Sequence, residues 1–130
     1  MQSFLVPLID AEAGTMILRN SRTGVVIADR VIPAFDSRAR RTGLLRRTGL
    51  SPGEAMIIAP TNAIHTFFMQ FPIDVAFVDR SGRVVKICNG VKPWRIAWAW
   101  GAYAVIEMSD NALAAGSTRG DRLYVDRAGS

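Results

Sequence analysis

His65 is the one histidine of the chain. It stands near the head of a dense run, Ile64-His65-Thr66-Phe67-Phe68-Met69-Gln70-Phe71-Pro72-Ile73-Asp74. Imidazole can take or give a proton near neutral pH, so a histidine beside a carboxylate is a candidate general base or acid. Two carboxylates qualify by their surroundings: Asp74 in Pro72-Ile73-Asp74-Val75-Ala76-Phe77, and Glu107 in Val105-Ile106-Glu107-Met108. Both sit in apolar, strand-like runs, where an unpartnered carboxylate is costly to desolvate. Asp74 therefore calls for a cation or several N–H donors, and Arg41, with its planar fork, is the expected partner. If Asp74 and Glu107 face each other across adjacent strands, the pair suits acid/base hydrolysis. The competing reading makes them separate structural ion pairs, and His65 a donor to a backbone carbonyl at a strand start.

Other residues point to binding rather than catalysis. Trp94, Trp98 and Trp100 lie close together with Tyr103, and Arg95 adjoins Trp94. Such rings supply flat area for a ligand, and a neighbouring guanidinium can take an anionic group; alternatively the rings cap the end of a sheet core. Arg38, Arg40, Arg41, Arg46 and Arg47 crowd one short segment, which is either a phosphate footprint or a solvated helix face. Cys88 is the lone cysteine and reads as a small buried hydrophobe. One Cys and one His cannot build a Cys/His zinc site. No GxSxG, P-loop or GxGxxG is present, and no cofactor or metal is expected.

The elements that position these groups follow from length and pattern. At 130 residues the chain fits one domain, and folding buries about two thirds of the surface an unfolded chain of this size exposes. With 49% hydrophobic and 21% charged residues, the composition excludes disorder, collagen, coiled coil and a disulfide scaffold. The net charge of +5 favours anionic partners. Residues 1–14 read as a leader, an edge strand or disordered end, before a single domain over 15–130. Met16-Ile17-Leu18 and Val25-Val26-Ile27-Ala28 read as strands around a polar turn at 20–24. Pro33 breaks the pattern, and Asp36-Ser37 caps a helix over about 38–47. Ala55–Ala59 is a strand. Pro72 divides residues 64–79 into two more. Asp79-Arg80-Ser81-Gly82 is a tight turn into Arg83–Ile87. On that returning strand Val84 and Lys86 share one face, and Val85 and Ile87 the other. Residues 88–101 form an aromatic loop or lid, Tyr103–Met108 a strand, Asp110–Ala115 a helical turn or two, and Arg122–Val125 a last strand. The pattern predicts a mainly β (α+β) fold with one or two short helices, a small antiparallel β-sandwich or barrel-like domain.

Residues 64–79, IHTFFMQFPIDVAFVD, followed by a Ser-Gly turn and Arg83-Val84-Val85, resemble the signature of the DUF192 (UPF0127) family of uncharacterised proteins. Arg41-Thr42-Gly43-Leu44-Leu45 resembles its R-x-GL element, Val105-Ile106-Glu107-Met108 its vLEl strand, and Gly120-Asp121-Arg122-Leu123 its GD-x-l turn. The resemblance covers about residues 15–125. It implies a small, mainly β fold with a sandwich-like core, and no agreed activity, substrate or cofactor. Two places depart from the family pattern: Phe67-Phe68-Met69-Gln70-Phe71 stands where fWMknT is frequent, and Ser109-Asp110-Asn111 where a small aG turn is usual.

The functional expectation is a non-enzymatic module. It binds a small polar or anionic molecule, or a protein partner, through a pocket near the 64–74 motif formed by Arg41, His65, Asp74, Trp94 and Glu107. One alternative is a small hydrolase or lyase using His65 with Asp74 or Glu107. Another is nucleic-acid binding through Arg38–Arg47, which ranks behind both because no RNP-type aromatic strand motif accompanies it. With no basic leader and no long apolar run, the chain reads as cytoplasmic and without a membrane span. Its oligomeric state is left open.

Overall fold

A computed structural model of the chain describes residues 3–9, 15–36, 50–67, 69–113 and 116–128. Among these residues it forms one helical turn, α1 (Val6–Ile9), and ten strands. The strands are β1 (Met16–Asn20), β2 (Val26–Ala28), β3 (Arg30–Ala34), β4 (Glu54–Ile58), β5 (Ala63–His65), β6 (Ile73–Val78), β7 (Val84–Val91), β8 (Ile96–Trp98), β9 (Ala104–Ser109) and β10 (Leu123–Arg127). The protein is thus mainly β, as the pattern predicts. A five-stranded sheet has the order β3-β4-β9-β6-β7, a three-stranded sheet the order β10-β1-β2, and β5 pairs with β8 alone. The larger sheet is mixed, because β3 and β4 run parallel while its other pairs are antiparallel. No sheet closes into a barrel.

The five-stranded sheet is covered on both faces, which explains its unbroken apolar runs. Alternate residues of a strand point to opposite faces. On β6, Ala76 and Val78 join a core shared with Leu18, Ile27, Leu123 and Val125 of the three-stranded sheet. Ile73, Val75 and Phe77 join a second core with Ile64, Met69 and Ala99. Every residue of β6 and of β4 is buried.

Several local expectations are revised. Residues 3–9 do not form an edge strand or loose end: the Phe4 N–H donates to the Arg80 carbonyl (2.9 Å), and Leu5 and Leu8 are buried in the first core. Pro33 does not end the strand but lies within β3. β3 is a sheet edge, where a residue lacking an N–H is tolerated. On β7 the register shifts between the pairs Phe77↔Lys86 and Val78↔Val84. That bulge separates Val84 from Lys86: Val84 and Ile87 pack in the first core, Val85 and Cys88 against the second. The Lys86 ammonium sits 5.9 Å from the Phe77 ring centroid, on the second side. The segment 88–101 is not a free lid, since β7 runs through Val91 and β8 pairs within it. The expected helix over 38–47 lies outside the described residues, and residues 110–113 form turns.

The 79–82 turn is built as its sequence implies. The Asp79 carboxylate accepts from the Ser81 N–H (2.9 Å), the Ser81 hydroxyl (2.6 Å) and the Arg83 N–H (3.0 Å). Gly82 has φ +91°, and a Cβ there would collide with the Leu123 carbonyl oxygen. Asp121 of the Gly-Asp turn accepts from Asn20, Arg22 and the Thr118 N–H. Those donors, the Arg22 guanidinium foremost, hold its carboxyl well below the usual carboxylate range.

Candidate functional site

The β5–β8 ribbon carries the candidate site. Its register is Ala63↔Trp98, Ile64↔Ala97 and His65↔Ile96. Period-two alternation sends Ile64 and Ala97 toward the second core. It leaves Ala63, His65, Ile96 and Trp98 exposed on the outer face. The result is an aromatic ledge facing solvent, with Ile96 66% and Trp94 56% exposed. The His65 and Phe67 rings lie 4.9 Å apart, and Phe67 stacks on Trp94 at 5.7 Å with 27° between the planes. At the other end Trp98 meets Trp100 edge to face at 5.3 Å.

Thr66, which the sequence reading passed over, holds this ledge together. It is 1% exposed. Its hydroxyl donates to the Lys92 carbonyl (2.7 Å) and accepts from the Arg95 N–H (2.8 Å). Its own N–H donates to the Arg95 carbonyl (2.8 Å), and its carbonyl accepts from the Trp94 N–H (3.0 Å). These bonds clamp residues 92–95 against the 64–67 segment. They also hold Trp94 at φ +65°, a backbone region that non-glycine residues seldom occupy and that clusters at functional sites. A threonine inside an apolar motif was the available signal.

The carboxylates expected beside His65 lie elsewhere. Asp74 is fully buried. Its two oxygens accept from the Gly90 N–H (2.9 Å) and the Leu113 N–H (3.0 Å). Gly90 has φ +60° and lies where the β6–β7 register slips between Ile73 and Val75, so Asp74 satisfies a donor at an irregular stretch of the ladder. Glu107 does not face Asp74. The register pairs Val75 with Glu107 and Asp74 with Met108; Asp74 therefore points to the first core's side, and Glu107 to the second's. Glu107 is flanked by Met56 on β4 and Val75 on β6. Its Oε2 atom has no hydrogen-bond partner among the described residues, and burial pushes its carboxyl up to about 7. Arg41 and the rest of the Arg38–Arg47 segment lie outside the described residues.

Of the expected site residues, the structure thus brings His65 and Trp94 together, through Phe67, and separates Asp74 from Glu107. Among the described residues no carboxylate bonds to His65, and no cluster of three His, Cys, Asp or Glu side chains is placed to hold a metal ion. Cys88 is half-buried against the second core. No described helix is long and apolar enough to cross a membrane.

Residues 18–125 match the model of a family described as "Uncharacterized ACR", DUF192. No curated protein matches the chain. Two solved structures share its fold. One, from Sinorhizobium meliloti 1021, is described as a proposed transcription regulator; it is 20% identical with TM-score 0.75, over 89% of this chain and 97% of that one. The other, a protein of unknown function from Novosphingobium aromaticivorans DSM 12444, is 25% identical with TM-score 0.73, over 90% of this chain and 88% of that one.

Proposed function

The chain belongs to the DUF192 family, and from that premise we propose that it is a non-enzymatic binding module. Its binding surface is the outer face of the β5–β8 ribbon, beside the 64–74 motif, and its ligand is a ring-bearing polar or anionic molecule or a segment of a protein partner. One observation carries this reading: His65, Phe67, Trp94, Ile96 and Trp98 are set side by side at the surface, on a ribbon whose inner face is packed in the core. Exposed rings at a rigid site supply contact area with little ordering cost, which is the composition of binding hot spots. Asp74 spends both oxygens on backbone N–H groups, and this supports a structural duty for it rather than a hydrolytic one.

A thermal-shift panel of organic acids, sugars and nucleotides tests the proposal. A ligand at 100 times its Kd stabilises the native state by about 2.7 kcal/mol, roughly 10 °C in Tm for a chain of this size. The expected hit loses its effect in Trp94→Ala and Ile96→Ser, while the unliganded Tm of both variants stays near that of the parent. Hits that persist unchanged in both variants overturn the assignment.

A further inference from the structure

Next to Trp98 the ribbon meets an open groove of about 520 Å³, lined by Val85, Lys86, Ile87, Trp98, Trp100 and Arg119 among others. This volume is within the range of small-molecule sites. We propose that the groove binds a small anion carrying a planar aromatic ring, its charge held by Lys86 and Arg119 and its ring stacked on Trp100 or Trp98. This rests on the binding-module reading and names the ligand class at one end of the ledge.

Charge and shape both support it. The lining contains two cations and no acid, and among the described residues neither cation forms an ion pair with a carboxylate. Lys86 is exposed on the edge strand β7. Its ammonium donates to the Trp98 carbonyl (2.9 Å) and lies 5.8 Å from the Trp98 ring centroid. An ammonium has two further N–H donors to offer. Arg119 projects from a turn pinned on both sides: the Gly120 N–H donates to the Val84 carbonyl (2.8 Å) and the Thr118 N–H to Asp121 (2.9 Å). The Lys86 ammonium is thus held by a hydrogen bond, and the backbone that carries Arg119 is fixed beside β7. Trp100 is 81% exposed, and its edge-to-face contact with Trp98 leaves a ring face for stacking. An aromatic ring uses that face, and the anionic group converts two unpaired cations into charge-assisted hydrogen bonds.

The test follows the indole N–H signals of the three tryptophans and the His65 ring signals by NMR, in low salt. The probes are adenosine 5′-monophosphate and 2-naphthoate, their neutral counterparts adenosine and 2-naphthamide, and trigalacturonate as an anion without an aromatic ring. The expected result is a saturable shift of the Trp98 and Trp100 signals with at least one aromatic anion. The neutral counterpart should bind about tenfold more weakly, and Lys86→Gln and Arg119→Gln should each weaken binding about five- to tenfold. Comparing 2-naphthoate with 2-naphthyl phosphate, which carries the same ring, assigns the preferred charge as carboxylate or phosphate. Trp100→Ala, at a solvent-facing position, checks the stacking without threatening the fold. Neutral probes that bind as well as the anions, trigalacturonate binding more tightly than both, silence at millimolar concentration, or binding indifferent to both cation variants would each overturn the proposal. If another ligand moves the His65 and Trp94 signals while these anions move none, the groove assignment falls and the binding-module reading stands; a ledge silent to the whole panel separately removes the small-molecule half of that reading and leaves the protein-partner half.

Discussion

Glu107 gives the sharpest physical test of the structure. It is 4% exposed, and burial raises its carboxyl from 4.5 to about 7. An acid whose pKa is higher in the fold than in the unfolded chain makes the native state bind the extra proton. Its stabilising contribution is then fully present below pH 4.5 and disappears as pH climbs through 7. At 1.36 kcal/mol for each tenfold step in the proton equilibrium, the loss amounts to about 3 kcal/mol. Glu107→Gln keeps the side-chain shape and removes the titration. Relative to the parent, the variant should gain about 3 kcal/mol between pH 4.5 and pH 7, then hold that advantage at higher pH. For a chain of this size the Tm difference widens by roughly 10 °C over the same window. Urea unfolding of both proteins, in steps from about pH 5 to pH 8.5 at fixed ionic strength, reads the difference directly. Parallel stability curves would refute the reasoning. They would mean that the ionised carboxylate finds a compensating charge or hydrogen bonds in the fold, so that burial is not what sets its protonation.

Three further substitutions probe the scaffold of the site. Thr66→Val preserves shape but strands the Lys92 carbonyl and the Arg95 N–H; it should cost about 1–3 kcal/mol in denaturant unfolding and displace the Trp94 indole signal, and an unmoved signal would show that the ledge does not depend on Thr66. Asp74→Asn leaves an amide N–H facing one of two backbone donors; a loss of about 2–3 kcal/mol with unchanged binding at the ledge is expected, whereas loss of binding without loss of stability would make Asp74 a site residue. Gly82→Ala drives a Cβ into the Leu123 carbonyl at φ +91° and should destabilise by more than about 2 kcal/mol. A variant as stable as the parent, by the same unfolding assay, would contradict the turn geometry.

What could be read from the residues divides along a physical line. Strands and tight turns are written locally: β4, β6, β9 and the Asp79–Gly82 turn follow from apolar runs and turn chemistry alone. Facing is not local when a sheet is buried on both sides. Asp74 and Glu107 both lie in runs without hydrophobic alternation, so nothing in either run tells which face its carboxylate takes; the one-residue offset between Val75↔Glu107 and Asp74↔Met108 decides it. A bulge has the same effect on β7, where an extra residue carries Lys86 to the side opposite Val84. Residues 88–101 announced their tryptophans but hid their role, because β8 is only three residues long and finds its partner through Thr66 and β5. Lys86 and Arg119 belong to separate elements and line one groove where backbone bonds such as Gly120 N–H to the Val84 carbonyl and Val84 N–H to the Asp121 carbonyl join the two segments. The surface proposed for binding, assembled from separate elements, has no sequence motif of its own. Its parts were visible as an isolated histidine, a cluster of tryptophans and a basic charge balance; the pairing of β5 with β8 and the edge strand β7 set them at the surface.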